Sequence, residues 1–160
     1  MEIGIRDVRP EELEAILALN EAAVPHVNSV PLAQLEKFRR EAAYFRVAVV
    51  GGRIGGFLVG LTPEADYASP NFLWFRRRYA AFGYVDRVAI AEDARRFGLG
   101  SRLYADFEGH FRGHVPRLVC EVNLVPPNEP SMRFHERHGF AKVGEQAVDG
   151  KIVAMLVKEL

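Results

Sequence analysis

Arg95-Arg96-Phe97-Gly98-Leu99-Gly100-Ser101 is the stretch on which the fold turns. Ahead of it, residues 82–90 alternate, with Tyr84, Asp86 and Val88 on one side and Val85, Arg87 and Ala89 on the other, as a strand does. Behind it, Leu99 to about His110 carries Leu103 and Phe107 at i, i+4 on one helical face. The pattern predicts strand, turn and helix in that order. The first amides of a helix lack internal partners and sit at the positive end of its dipole, so an anion placed there is held by backbone N–H groups. Gly98 and Gly100 leave room for a diphosphate and permit positive φ. Arg95 and Arg96 add charge, and Ser101 adds a hydroxyl. A Walker turn is excluded because no lysine stands here. A dinucleotide fingerprint is excluded because its third glycine position is Leu103. A glycine-bearing turn that holds no ligand is the alternative.

Upstream, residues 2–7 read as a short strand. Pro10-Glu11-Glu12 starts a helix that carries Leu13, Ile16 and Leu17 and stops at Pro25. Pro31 opens a second helix with Leu32, Leu35 and Phe38 on its apolar face. Residues 44–50 and 54–61 are strands joined by the two-residue turn Gly51-Gly52. Residues 63–79 show no period and read as a long loop rich in aromatics. Downstream, a strand over 117–124 is broken by Pro126-Pro127. A helix follows over 129–138, capped by Asn128 and stopped by Gly139, and then two strands over 140–143 and 151–157. The order βααββ, loop, βαβαββ is that of one mixed α/β domain over residues 1–160.

Composition narrows the function classes. Formal net charge is zero, with 21 basic and 21 acidic residues, which argues against an extended nucleic-acid surface. Arg76-Arg77-Arg78 is a patch too small to be a footprint and reads as a solvated face. Cys120 is the only cysteine, so no intrachain disulfide forms, and its apolar neighbours predict a buried thiol. No apolar run approaches bilayer length and the N-terminus has no signal-peptide pattern, so a cytoplasmic protein without membrane contact is expected.

The segment Ile90-Ala91-Glu92-Asp93-Ala94-Arg95-Arg96-Phe97-Gly98-Leu99-Gly100 resembles the acyl-CoA motif of the GNAT superfamily of N-acetyltransferases, a hydrophobic strand end followed by R/Q-x-x-G-x-G/A. A second segment, Asn128-Glu129-Pro130-Ser131-Met132-Arg133-Phe134-His135-Glu136-Arg137-His138-Gly139-Phe140, resembles the family's downstream helix. The two motifs stand in the family's order, and so do the elements of the whole chain. The resemblance implies a GNAT-like single domain: a splayed mixed sheet of six to seven strands flanked by about four helices. It implies acetyl-CoA as cosubstrate. The backbone of Val88, Ala89 and Ile90 would meet the pantetheine, the turn Arg95, Arg96, Phe97, Gly98, Leu99, Gly100, Ser101 would hold the diphosphate, and Asn128 and Ser131 would touch the pantetheine from the last helix. Homodimers are common in the family and compatible with this chain.

Family members usually transfer the acyl group directly to an amine, which must first lose a proton to a base. Glu121 is the leading candidate, because a similar Glu-Val pair occurs on this strand in the family's N-terminal acetyltransferases. A surface carboxylate is its alternative. Asp86 is the rival, unless it pairs with an arginine such as Arg87 or one of 76–78. His135 stands where the family most often has the tyrosine that protonates the thiolate. An imidazolium there would donate a proton, whereas a neutral ring would only hydrogen-bond. Phe72, Trp74 and Tyr79, with Phe75, would wall the acceptor site, or else pin their loop to the core. A small-molecule or amino-acid amine is expected as acceptor because a long loop would narrow access; a protein N-terminus or lysine is the alternative acceptor, and an acyl-CoA sensor or interaction module without turnover the alternative function. His110 and His114 lack a third ligand nearby, and His135-Glu136-Arg137-His138 misses the H-E-x-x-H spacing, so no metal is expected.

Overall fold

Alternating apolar residues pair the strands of a computed structural model that describes residues 2–160. Its elements are β1 (Ile3–Asp7), α1 (Leu13–Ala22), α2 (Leu32–Glu41), β2 (Tyr44–Val50), β3 (Arg53–Leu61), α3 (Pro70–Arg78), β4 (Gly83–Ile90), α4 (Leu99–Phe111), β5 (Arg117–Val125), α5 (Glu129–Arg137), β6 (Ala141–Val148) and β7 (Lys151–Glu159). Single 3-10 segments stand at Pro10–Glu12 and Glu92–Phe97. The strands form one mixed seven-stranded sheet in the order β1-β2-β3-β4-β5-β7-β6. Contacts divide the chain into two compact units: residues up to Leu61 together with Val85–His110, and Thr62–Tyr84 together with Phe111–Leu160.

In the first unit, β1, β2 and β3 are an antiparallel meander, with a bulge between Ala48 and Val49. Glu12 fixes the entry to α1: its carboxylate accepts from the Arg9 backbone N–H at 2.8 Å and from both terminal nitrogens of Arg6 at 2.9 and 2.7 Å. Leu13 and Ile16 of α1 and Leu35 and Phe38 of α2 are buried, as the helical spacing predicts. On α4, Leu99, Leu103 and Phe107 are buried at i, i+4, i+8. Phe107 lies against β3 where Gly60 has no side chain: a Cβ there would stand 2.2 Å from Phe107 Cε1. Gly60→Ala therefore overpacks a rigid ring. Thermal unfolding is expected to show a loss of about 1–3 kcal/mol, lowering Tm by roughly 3–10 °C.

In the second unit, β7 lies between β5 and β6, antiparallel to both. The parallel register of β4 with β5 consists of Gly83↔Leu118 and Tyr84↔Val119. The segment read as a loop holds a helix instead. Pro70 takes the first position of α3, and Phe72 and Phe75, three apart, are fully buried. Trp74, also buried, covers Gly144 of β6, where a Cβ would come within 2.7 Å of the indole, and Asn71 Oδ1 accepts from Gln146 Nε2 at 2.9 Å. Tertiary packing, not local period, makes this segment helical.

Candidate active site

In the first unit, the Glu92–Phe97 segment leads into Gly98, which adopts φ 66, ψ 32, the left-handed region. A side chain at Gly98 would meet nothing within 4 Å, so the turn faces open space. The hydrogen-bond ladder of α4 begins with Arg102 N–H donating to Gly98 O at 3.2 Å. The helix offers no i−4 acceptor to the amides of Leu99 and Gly100 ahead of that bond. Arg95, Arg96 and Ser101 are exposed beside them, with the Arg96 guanidinium over the Phe97 ring at 4.6 Å. The turn is seated from below: a Cβ on Gly55 of β3 would lie 2.7 Å from Leu99 Cδ1 and 3.1 Å from Ala94 Cβ. Gly55 leaves the room that Leu99 and Ala94 fill, a contact the motif alone does not reveal because Gly55 lies in another strand. The arrangement fits an anionic diphosphate, with donors, positive charge and an unobstructed mouth together.

The strand before the turn has two kinds of backbone edge. Ala91 N–H donates to Gly55 O at 2.8 Å, so it points at β3. With period 2, Ala89 faces the same way, and its carbonyl oxygen lies 3.0 Å from the Cβ position of Gly56. Val88 and Ile90 therefore turn their backbone groups to the other edge. Of the three residues expected to meet pantetheine, Val88 and Ile90 present suitable groups, while Ala89 is committed to β3 and its side chain is buried.

Asp86 and Arg87 form a buried ion pair, Nε to Oδ2 at 2.8 Å, with side-chain exposures of 2% and 7%. The arginine partner considered for Asp86 is thus its own neighbour. A carboxylate held in this way is a poor candidate for a base that must release its hold to take a proton.

In the second unit, Glu121 of β5 accepts from the Tyr84 hydroxyl, at 2.5 Å to Oε1 and 3.3 Å to Oε2. Tyr84 registers with Val119, and Glu121 is two residues further along β5, on the same face. The added residues near Leu124 appear as a register shift between Asn123 and Val125. Glu121 lies ahead of that shift, opposite Met155. Tyr84 is 1% exposed and its ring packs against Phe72 and Phe75 of α3, with centroids 5.5 and 5.9 Å away. Tyr84 was not among the residues singled out from sequence; only the strand register brings it to Glu121. Next to Glu121, Cys120 is buried, and burial together with the Glu121 charge pushes its thiol pKa up, so it is no nucleophile.

His135 of α5 is buried, and its Nδ1 donates to the Ser131 carbonyl at 2.7 Å, with Ser131 Oγ 3.3 Å away. Burial lowers its pKa, against the raising effect of that backbone bond, and nearby His138 lowers it further. At neutral pH the ring is therefore uncharged with its proton on Nδ1, leaving Nε2 as an acceptor. Of the two roles considered from sequence, this tautomer suits hydrogen bonding through Nε2 and not donation of a proton from it. Asn128 occupies the N-cap position of α5 through its backbone, with Met132 N–H donating to its carbonyl at 3.1 Å, but its side chain makes no cap bond. Ser131 is half-buried.

Phe72 and Trp74 belong to the core of the second unit, so the expectation of an acceptor wall gives way there to pinning. Tyr79, half-buried, lies under the Arg117 guanidinium at 4.6 Å. Among the described residues, no three His, Cys, Asp or Glu side chains are grouped to hold a metal ion, and no helix is long and apolar enough to cross a membrane.

Residues 11–140 match the model of the acetyltransferase (GNAT) family. No curated protein matches the chain in sequence. Among solved structures, Ard1 from Thermoplasma volcanium superposes with a TM-score of 0.81 at 19% identity, covering 100% of this chain and 99% of that one. The ribosomal-protein-S18-alanine N-acetyltransferase from Escherichia coli gives 0.75 at 14% identity, covering 99% and 94%. The NatC complex bound to Gag peptide and CoA gives 0.76 at 16% identity, covering 100% and 99%. These identities speak for the fold, and the family match spans most of the sequence: the chain belongs to the GNAT family of acetyltransferases.

Proposed function

We propose that this chain transfers an acetyl group from acetyl-CoA to a primary amine in the cytosol, with Glu121 as general base and both units acting as one acetyltransferase domain. The open left-handed turn at Gly98, at the head of α4, carries the cosubstrate half of this reading. The family match, running through both units, supports treating them as one domain.

Acetyl-CoA supplies the acetyl group as an activated thioester. The amides of Leu99, Gly100 and Ser101, with Arg95 and Arg96, take its diphosphate. The outward backbone groups of Val88 and Ile90 pair with the pantetheine amides as an added strand would. A backbone N–H from the same edge stabilises negative charge developing on the thioester oxygen. Glu121, oriented by Tyr84, takes the proton from the acceptor ammonium so that the amine can attack the thioester carbonyl. The C–S bond then breaks, CoA leaves as the thiolate, and the second proton shed by the attacking nitrogen passes to the thiolate through solvent, giving the amide and free CoA. Asn128 and Ser131 contact the pantetheine side. Neutral His135 holds the first turns of α5 together through Ser131.

The acceptor is a primary amine. The reason to favour a small-molecule or amino-acid amine was a long access-narrowing loop, and most of that segment is α3, packed inward on β6. A peptide N-terminus therefore stands level with the small amine. One experiment addresses both halves of the reading. Calorimetry with acetyl-CoA is expected to show binding. Free-thiol release is then measured with L-lysine, tryptamine, spermidine and short peptides of differing first residue. Turnover with one class names the acceptor. Binding without turnover on any amine would make the chain an acyl-CoA sensor, and no binding would remove the reading altogether.

A further inference from the structure

β1 stands at the end of the sheet order, so one of its edges has no strand beside it. Along the other edge, Gly51 N–H donates to Glu2 O at 3.0 Å and Val8 N–H to Phe45 O at 3.1 Å. With the β1–β2 register, these bonds turn the backbone groups of Glu2, Gly4 and Arg6 to β2. Ile3, Ile5 and Asp7 therefore turn theirs outward. The Asp7 carbonyl is already taken, since Arg6 Nη1 donates to it at 3.1 Å. The same guanidinium holds Glu12 through Nη1 and Nη2, which leaves Nε and one Nη2 hydrogen to donate. The open part of the edge is thus the backbone of Ile3 and Ile5, with a guanidinium at its end.

Proteins commonly blunt such edges with a bulge, a lysine or a proline. β6, at the other end of the sheet, carries Lys142 and a bulge between Lys142 and Gly144. β1 is short but has no bulge, lysine or proline. Its side chains are also complementary to themselves. With Gly4 set opposite the partner's Gly4 in an antiparallel pair, Ile3 meets the partner's Ile5 and Ile5 the partner's Ile3, each pair exchanging two backbone bonds. Glu2 meets the partner's Arg6 and Arg6 the partner's Glu2. Gly4 falls on the axis as a non-hydrogen-bonded pair, where Cα atoms approach to about 4.5 Å. A Cβ there would meet nothing within 4 Å, and a groove of about 460 Å³ over Gly4, Val49, Gly51 and Gly52 leaves room on that face. A slip of two residues one way sets Ile3 against Asp7, whose carbonyl is taken. A slip the other way sets Glu2 against Gly4 and loses the guanidinium.

We propose that this chain forms a two-fold dimer by antiparallel pairing of β1 with β1 of a second copy, joining two seven-stranded sheets edge to edge. The pairing is independent of the acetyl-transfer reading. Sedimentation velocity of the full chain is expected to show monomer and dimer in balance, half dimer at a concentration on the order of tens of micromolar, the weak end that suits a small interface. Ile5→Pro removes an outward N–H and leaves the ladder to β2 whole, so it should weaken the dimer about 10–100-fold. Glu2→Arg sets guanidinium against guanidinium twice and should weaken it about three- to tenfold. Gly4→Cys, on the axis, should cross-link under mild oxidation about tenfold faster than Glu2→Cys, with the native Cys120 buried. A chain that stays monomeric at about 500 μM would overturn the pairing. So would a dimer that Ile5→Pro and Glu2→Arg leave intact, or equal cross-linking from positions 2 and 4. Should Ile5→Pro not fold, Glu2→Arg and Gly4→Cys carry the test.

Discussion

Replacement of Glu121 by glutamine is expected to lower kcat/KM for the amine by about 10²–10⁴, the range in which a positioned general base contributes. Glutamine has the shape of glutamate, and its amide oxygen still accepts from the Tyr84 hydroxyl, so the strand register of β5 persists. What is lost is the carboxylate that can take a proton from the amine. The Kd for acetyl-CoA should stay within twofold, because none of the groups assigned to hold the cosubstrate is on the Glu121 side chain. The fall should therefore appear in kcat. An interaction made only in the transition state lowers kcat and kcat/KM together.

The same carboxylate makes a second difference measurable. Tyr84 donates to Glu121, and a hydrogen bond to the charged form of a carboxylate favours that form. Tyr84→Phe keeps the ring among Phe72 and Phe75 and removes only the donor. The carboxylate then loses the donor that orients it on β5, so kcat for the amine should fall about tenfold while the Kd for acetyl-CoA stays within twofold. A glutamine variant within threefold of wild type would remove Glu121 from the chemistry. Asp86 would not readily replace it, since its carboxylate is already held by Arg87.

Elements built from short-range pattern were legible in the sequence, and contacts between distant segments were not. The turn at 95–101 follows from two glycines between a period-2 run and a helical face, all within neighbouring residues. The helix α3 is hard to read because Pro63 ahead of it and three consecutive arginines at its end hide its period. Its signal was there: a proline at the first helical position and Phe72 and Phe75 three apart. The pairing of Tyr84 with Glu121 rests on a parallel register between residues 37 positions apart, which no local pattern encodes. Arg87 is further from legibility, because its partners Asn20 and Asn28 lie 67 and 59 residues away. The charge of His135 depended on its burial and on the Ser131 carbonyl, so the sequence could name the residue but not its protonation state.

The turn itself allows the sharpest separation of causes. Gly98 has φ 66, where an L-residue pays about 1–2 kcal/mol and a β-branched one is a genuine outlier. Nothing lies within 4 Å of its Cβ position, so the Cβ of Gly98→Val meets no neighbour and the fold is expected to survive with a Tm only a few degrees lower. Valine's preference is for negative φ, and a turn relaxed that way redirects the amides at the head of α4. Each backbone bond to a charged oxygen contributes about 1.5–3 kcal/mol. Losing two of them is expected to raise the Kd for acetyl-CoA by about 10²–10⁴ in calorimetry. CoA should lose as much, since it carries the same diphosphate, whereas pantetheine, which lacks it, should bind as it does to wild type. Gly98→Asn separates backbone from bulk, because asparagine tolerates the left-handed region and should retain most of the affinity. A valine variant that binds acetyl-CoA within threefold of wild type would show that these amides do not hold the diphosphate. Equal losses for acetyl-CoA and pantetheine would place the damage along β4 instead of at the turn.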